Sequence, residues 1–274
     1  MAWLIPACFL LAIAALLILR HRRPKPSPLT ASEYWVYLPE ATMPTMERIM
    51  DAMLAGNPHN RPGQPCITKR EGILFTDIRL HLAMLLREKN AHAFRPDLLF
   101  DCCRFDATSL SLLGKAQGIA KLSYISETPL SDRRHLQFMP HLASAVSRLA
   151  GGLAVFEVQD ETLWTSTEFE RFLRETPSQE NKNPVRIAWV PSEGGSFARS
   201  LGLKKIGFYE LRSDTIPSDE ITAIEPVLEE VAQRMWSGDL APEYEVERFG
   251  QRFLVTVSPL RGEAKVTVAR ITSR

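Results

Sequence analysis

Five side chains that could bind a metal ion lie within one short segment in the middle of the chain. They are Asp97, Asp101, Cys102, Cys103 and Asp106. Carboxylates and thiolates are both metal ligands, but zinc sites usually combine them with histidines or with cysteines at CxxC spacing. The chain contains no CxxC motif, and its six histidines are scattered. We therefore predict that this segment holds no metal ion, and that the sequence carries no recognisable catalytic, cofactor-binding or metal-binding residue.

A glycine pair followed by a serine, Gly194-Gly195-Ser196, could cradle a phosphate group or expose a nucleophilic hydroxyl. A P-loop also needs a lysine followed by serine or threonine, and a hydrolase elbow needs the pattern Gly-x-Ser-x-Gly. Neither pattern surrounds these three residues. The sequence predicts an ordinary turn between two strands. An enzyme with an unrecognised site, at this turn or in the 97–106 segment, is kept as an alternative.

The histidines are not predicted to share a metal site. His135 and His141 lie six residues apart on one predicted helix. They therefore face opposite sides of it and cannot ligate one ion together. His81 alternates with leucines in a predicted strand, where we expect a surface or half-buried position.

Three aromatic residues near the start of the chain, Tyr34, Trp35 and Tyr37, fall in one predicted strand. Neighbouring residues of a strand point to opposite faces of its sheet. One face could therefore offer its aromatic side chain to a partner, or both faces could be buried. The sequence does not choose between these interpretations.

The elements that must position these residues are predicted from periodicity and from their boundaries. Apolar residues repeating every three or four positions indicate helices, whereas β-branched and aromatic runs between proline or glycine indicate strands. Asp106 suits a helix N-cap, and Thr165 and Glu168 form a capping box. The run 79–86 favours a strand, although periodicity alone allows a helix. Up to residue 175 the predicted strands are 33–38, 73–76, 79–86, 98–103, 119–126 and 153–158, and the helices are 43–55, 107–117, 132–150 and a short one from 165.

The second part of the chain follows a polar stretch at 176–184, which is predicted to be an internal linker or long loop. One helix is expected here, capped by Ser218 and ending at Ser237. The predicted strands are 185–190, 204–211, 243–248, 252–257 and 265–271, of which the last three should form an antiparallel meander. Because strands and helices do not alternate regularly, we predict an α+β globular domain over residues 33–274, with a mixed, largely antiparallel sheet and packed helices.

The first 25 residues predict a membrane anchor. Residues 2–19 carry no charge, and at about 1.5 Å per residue they would form a helix of roughly 27 Å, close to the hydrocarbon thickness of a bilayer. Four basic residues follow: Arg20, Arg22, Arg23 and Lys25. Positive charge favours the cytoplasmic side. We therefore expect a single-pass protein of the bacterial inner membrane, with its N-terminus outside, a proline-rich spacer at 26–32 and the C-terminal domain in the cytoplasm.

The charge of the remaining chain argues against nucleic acid as a partner. The net charge is +1, but the four basic residues after the apolar run contribute more than that, so residues 26–274 carry about −3. Nucleic-acid-binding domains usually show a basic patch or stripe. We therefore predict no nucleic-acid binding.

Two passages between Arg148 and Trp236 carry a family resemblance. The first is RLAGGLAVF, which begins at Arg148, and the second is SLGLKKIGFYEL, which begins at Ser200 and precedes a helix with an acidic start. Together they resemble an uncharacterised bacterial domain-of-unknown-function family, in which Thr-x-Gly-Leu precedes a Gly-x-x-Glu strand. Ser200 stands where that family has threonine. The resemblance implies an α+β fold and a bacterial origin, and because the family has no assigned activity it implies no catalytic residues.

The function expected from these features is the binding of a protein partner by a non-enzymatic cytoplasmic domain anchored at the inner membrane. The predicted contacts are the lipid bilayer, through residues 2–19, and a protein of unknown identity. An immunity protein that neutralises a secreted toxin is one alternative form of this function. The enzyme with an unrecognised site is the other alternative.

Overall fold

The computed structural model describes residues 29–56, 76–176, 185–239, 241–260 and 263–271. Within these ranges the strands are β1 (Thr30–Leu38), β2 (Leu80–Leu86), β3 (Gly118–Ser126), β4 (Ala154–Glu157), β5 (Thr162–Thr165), β6 (Arg186–Ser192), β7 (Gly195–Leu201), β8 (Glu210–Ile216), β9 (Glu243–Arg248), β10 (Gln251–Leu260) and β11 (Glu263–Ile271). The α-helices are α1 (Met46–Gly56), α2 (Ala107–Lys115), α3 (Arg134–Leu149), α4 (Ser166–Glu175) and α5 (Ile221–Ser237). Short 3₁₀ helices lie at Ala91–Phe94, Pro96–Leu98 and Leu203–Ile206.

The first sheet contains five antiparallel strands in the order β2-β3-β1-β4-β5. Its central strand β1 is buried on both faces. Tyr34 packs with residues of α1, α3 and α4 on one face, whereas Trp35 and Tyr37 pack with the segment around Phe94 on the other. The interpretation that both faces of this strand are buried is therefore confirmed, and the one that offers an aromatic residue to a partner is wrong.

The second sheet contains six strands in the order β6-β7-β8-β11-β10-β9, and only the pair β8 and β11 is parallel. Helix α5 covers one face with a stripe that includes Ile224, Val231 and Met235. The opposite face carries charged pairs such as Lys265 and Asp214, whose Nζ and Oδ1 are 2.7 Å apart. One apolar and one polar face are typical of an antiparallel sheet.

The predicted α+β class with largely antiparallel pairing is confirmed, although the strands form two sheets and not one. The first sheet precedes residues 177–184 and the second follows them; these residues, where a linker was predicted, lie outside the described part. The Asp106 cap is confirmed, since its carboxylate accepts the Ser109 N–H at 2.8 Å. The capping box of Thr165 and Glu168 is confirmed as well. The run Leu80–Leu86 is a strand and not a helix.

Several local predictions are wrong for identifiable reasons. The segment 98–103 is not extended, because Pro96 starts a 3₁₀ helix whose Leu99 N–H bonds back to the Pro96 carbonyl. The strand predicted at 204–211 begins only at Glu210, and strand β7 was not predicted at all. Helix α5 has Glu220 at its N-cap without a side-chain bond, so Ser218 does not cap it. The predicted strand at 73–76 lies outside the described residues except for Thr76, and β1 already begins at Thr30, within the predicted spacer.

The predicted membrane anchor is corrected by the structure. The apolar run at 2–19 lies outside the described residues, and none of the described helices is long and apolar enough to cross a membrane. The longest of them, α5, has 17 residues and contains Glu225, Glu229 and Glu230. The transmembrane helix, the single-pass topology and the inner-membrane location, which all depended on the apolar run being such a helix, are therefore not supported by the described structure. An uncharged run has the composition of a membrane span, but composition alone does not establish the helix that a span requires.

Candidate functional site

The two sheets meet at a buried cluster of charged side chains. The 3₁₀ helix Leu203–Ile206 inserts Lys205 against the first sheet, where its Nζ lies 2.8 Å from Glu157 Oε1 and 2.7 Å from Asp160 Oδ2. Lys205 and Glu157 are each only 3% exposed. This ion cluster therefore ties the end of β4 and the β4–β5 turn to the second sheet.

A separate carboxylate, that of Glu210 at the start of β8, holds the 3₁₀ helix in place. It accepts the backbone N–H groups of Gly202, Leu203 and Lys204 and the hydroxyl of Ser200, at 2.6 to 3.3 Å. Burial raises the pKa of Glu210, and these four donors partly offset that effect. The passage from Ser200 to Glu210 suggested a family resemblance. In the structure its hydrogen bonds hold the 3₁₀ helix and thereby position Lys205.

His135 of α3 completes the junction. Its Nε2 lies 2.7 Å from the carbonyl oxygen of Lys205, and its ring stacks on Tyr124 with 5.0 Å between centroids. Burial lowers the pKa of His135, so the ring is neutral at physiological pH. Nearby, Arg133 Nη2 donates to the Trp236 carbonyl at 2.8 Å. The predicted separation of His135 from His141 is consistent with this purely structural position.

Two acids share one lysine in the ion cluster, and their environment disfavours a second negative charge. Burial, followed by the charge of Glu157, raises the pKa of Asp160. Burial opposes the charged form of Lys205, but Asp160 and Glu157 outweigh it and raise the lysine pKa. A permanently charged lysine between two buried carboxylates is a structural tie, since it cannot accept a proton from a substrate at neutral pH.

The β4–β5 turn brings a third acid, Glu161, to the residues where a metal site was considered. One Glu161 oxygen accepts the Cys102 N–H at 2.8 Å, and the other lies 3.5 Å from Arg199 Nη1. Burial raises the pKa of Cys102, and it raises that of Cys103 to about 12. Both thiols are therefore protonated near neutral pH and are weak nucleophiles.

The structure does not gather the five candidate ligands into one site. Asp97 pairs with Arg95 at 2.7 Å, and Asp106 caps α2. Asp101 is exposed, while Cys103 is buried. Among the described residues no group of three or more histidine, cysteine, aspartate or glutamate side chains could hold a metal ion. These side chains are explained by local structure.

A cavity of about 270 Å³ lies beside this junction. Its walls combine apolar residues such as Phe100 and Leu201 with the charged residues Glu161, Arg199 and Glu210. The Glu161 and Glu210 carboxylates and Arg199 Nη1 are engaged as described above. Arg199 Nε is buried without a hydrogen-bond partner among the described residues, and Asp101 and Lys204 also line the cavity. In the described part of the chain, the cavity brings no thiol or hydroxyl of lowered pKa next to a base.

A turn is confirmed at the Gly194-Gly195-Ser196 passage, but it consists of Glu193 and Gly194, whereas Gly195 and Ser196 already pair with β6 as the start of β7. Gly194 has a φ of 81°, in the left-handed region. A Cβ at Gly195 would stand 2.2 Å from the carbonyl oxygen of Ile216, so a side chain there would collide with the end of β8. The glycines are needed for the turn and for this close approach.

Strand β2 forms an outer edge of the first sheet, and its sequence is largely apolar. The β2 sequence LHLAMLL has no charged residue, no proline and no glycine. His81 and Ala83 are exposed, and the other five side chains are half-buried. Just before the strand, Ile78 is 89% exposed. Long apolar edge strands are rare in isolated proteins because they invite pairing with another chain.

The register fixes which backbone groups β2 presents outward. The Arg79 carbonyl accepts from Ile125 N–H, and the Arg87 N–H donates to the Gln117 carbonyl. Hydrogen-bonded pairs alternate along an antiparallel ladder, so the odd-numbered residues of β2 bond to β3. Leu82 and Met84 therefore point their N–H and C=O groups away from the sheet. No other strand of the described residues pairs with this side of β2, which we call the free edge.

The other three sheet edges in the described structure differ from β2. Strand β5 has only four residues. Strand β6 contains Pro191 and starts at Arg186, and β9 has the sequence EYEVER. Short length, proline and charge are the usual means by which proteins protect an edge.

Comparison with protein-family models, curated proteins and solved structures found no match. The resemblance to a bacterial domain-of-unknown-function family stays a prediction. Sequence reasoning missed both Lys205 with its acids and the free edge. For the edge a signal was available, since a seven-residue apolar run without charge is unusual for a strand that ends a sheet.

Proposed function

We propose that this chain is a non-enzymatic protein-binding module, and that its free edge accepts an extended segment of a partner as an additional strand. The observation that carries the proposal is the contrast between β2 and the other edges. Strand β2 alone among the edges of the described sheets combines length with an apolar, uncharged sequence. Strand addition uses such an edge, because main-chain hydrogen bonds supply affinity and alternate side chains supply specificity.

The chemistry of β2 also indicates what the partner segment contains. Leu80, Leu82 and Met84 pack against the core on the face that carries α1 and α3, and they remain half-buried. A partner strand with apolar residues on that face would extend the same core. On the opposite face the exposed Ala83 and His81 leave room for small or polar side chains.

The proposal is tested by placing a photo-crosslinking residue at Ala83 of the full chain in cells. The matched position is Tyr209, which is 54% exposed and belongs to the second part of the chain. We expect position 83 to form an adduct with an identified protein, and the cross-linked peptide to come from an extended segment of it. Position 209 should give no such adduct.

A charged substitution in β2 provides a second test of strand addition. Ala83→Lys adds a charge to the exposed face of β2 and should reduce recovery of the same partner severalfold, because lysine protects edges against pairing. Ala269→Lys makes the same change at an exposed strand position of the second sheet and should leave recovery unchanged. Equal recovery with both variants, or equal adducts from positions 83 and 209, would refute the proposal.

An immunity protein is one form that such a module could take, since neutralising a toxin requires a stable protein complex without catalysis. A toxin encoded beside this chain is then the first partner to test at Ala83. Adduct formation with that toxin supports the immunity form, and its absence with adducts to another protein removes that form alone.

A further inference from the structure

The free edge of one chain can pair with the free edge of an identical chain. We propose that the partner strand at β2 is the β2 of a second copy, so that two chains form a symmetric dimer with one continuous ten-stranded sheet. This inference rests on the proposed function and names the occupant of the same edge. Two-fold symmetric dimers are the commonest homo-oligomers, and their interfaces must be self-complementary.

Hydrogen-bond register selects the centre of this pairing. When two copies run antiparallel with Ala83 opposite Ala83, the whole of Leu80–Leu86 overlaps and Leu82 stands opposite Met84 of the other copy. Both of these residues point their backbone groups outward, so each such pair exchanges two hydrogen bonds. Registers centred on other residues of β2 overlap over a shorter length.

The ends of the strand limit the number of bonds. The Leu80 N–H already donates to the Asp77 carbonyl at 3.0 Å, and the Leu86 carbonyl already accepts the Asn90 N–H at 3.0 Å. The Leu80 carbonyl and the Leu86 N–H have no such partner among the described residues and can bond to the other copy. The centred register therefore forms about six hydrogen bonds between the copies.

Side chains fit the same register on both faces. Ala83, the smallest residue of β2, falls on the two-fold axis in a non-hydrogen-bonded pair, where Cα atoms approach to about 4.5 Å. On the other face Leu82 meets Met84, and Leu80 meets Leu86. The half-buried apolar side chains of each copy thereby cover those of the other.

Charges of both signs lie at each end of β2. In the centred register Asp77 stands opposite the exposed Lys89 of the other copy, but Glu88 is exposed beside Lys89, so charge neither favours nor opposes the pairing strongly. Arg79 would approach Arg87 of the second copy, but both are engaged within their own chain. Arg79 pairs with Asp77 at 3.4 Å, and Arg87 donates to the Ala116 carbonyl and lies over the Phe94 ring.

A register-specific disulfide tests the dimer. In full-length Ala83→Cys the two introduced Cα atoms lie about 4.5 Å apart, within the range of disulfides. In the matched variant His81→Cys, which changes an exposed residue on the same face, the two Cα atoms lie about 14 Å apart. Mild oxidation should therefore cross-link most of the Ala83→Cys chains, and no more of the His81→Cys chains than of the unsubstituted chain, which controls for the native cysteines.

The mass of the unsubstituted chain in solution is the second measurement, and it should double as concentration rises. A chain that stays monomeric, with equal cross-linking at positions 81 and 83, overturns the dimer. If position 83 then captures a different protein, the proposed function stands without the dimer. If the Leu82 and Met84 amides exchange slowly in the monomer, the chain covers its own edge, for example with residues 57–75, and both proposals fail.

Discussion

Replacing Lys205 by methionine should destabilise the protein far more than removing any exposed ion pair. Methionine keeps most of the length of the lysine stem but removes the ammonium that contacts Glu157 and Asp160 at 2.8 and 2.7 Å. Two buried carboxylates are then left without their shared cation. Breaking a buried ion pair by removing one partner costs about 3–5 kcal/mol, a large part of the 5–15 kcal/mol that is typical of a folded domain.

The matched control is Lys265→Met. Lys265 also contacts an aspartate, Asp214, at 2.7 Å, but these two side chains are 42% and 49% exposed. An exposed pair of this kind contributes about 0–1 kcal/mol. The comparison therefore separates the effect of burial from the loss of a lysine.

The assay is urea unfolding at neutral pH, followed by tryptophan fluorescence and by far-ultraviolet circular dichroism. Both signals should show a lower midpoint for Lys205→Met, and coincident signals would indicate that the two sheets still unfold together. A loss below about 1 kcal/mol, equal to that of Lys265→Met, would show that the ion cluster does not tie the sheets together.

Three further predictions concern the same junction. Burial and Glu157 raise the pKa of Asp160 above its unfolded value of about 3.9, so its contribution to stability is present at low pH and lost as pH rises through the folded pKa. We therefore compare the free energy of unfolding of the natural chain with that of Asp160→Asn. The natural chain should exceed the variant by more at about pH 5 than at about pH 8. A difference that does not change with pH would contradict the raised pKa. Glu210→Gln turns an amide N–H₂ towards donors and should cost about 2–4 kcal/mol in urea unfolding, whereas Glu243→Gln, at an exposed position, should cost almost nothing. The pKa of Cys103 is raised to about 12, so its thiol should be alkylated at about pH 8 on the order of a thousandfold more slowly in the folded chain than in urea. Peptide mass spectrometry after alkylation measures both rates. Equal rates would disprove the burial of Cys103.

Much of the fold could be predicted because it is encoded locally. The caps at Asp106 and Thr165 depend on residues within one turn, and the final three strands depend on short hairpins. The position of β8 could not be predicted in this way. The passage from Lys204 to Leu211 contains apolar and aromatic residues that are typical of a strand. Glu210 instead accepts the backbone N–H groups of Leu203, Lys204 and the preceding Gly202, and so holds Leu203–Ile206 as a 3₁₀ helix.

The junction between the sheets was beyond sequence reasoning for a similar physical reason. Lys205 and Asp160 are 45 residues apart in sequence, and nothing in the local pattern of either residue indicates an ion pair. Charged residues in a loop or beside a strand are usually solvated. Only the packing of the 3₁₀ helix on the first sheet buries them together.

The free edge can be tested most directly by hydrogen exchange of the β2 amides in the full chain at low concentration. His81, Ala83 and Leu85 donate to β3 and should exchange slowly, whereas Leu82 and Met84 point away from the sheet and should exchange fast. As a second copy or a partner strand is added, the Leu82 and Met84 amides should become as slow as their neighbours. Slow exchange at Leu82 and Met84 in the isolated monomer, or fast exchange that no added chain suppresses, would contradict strand addition at β2.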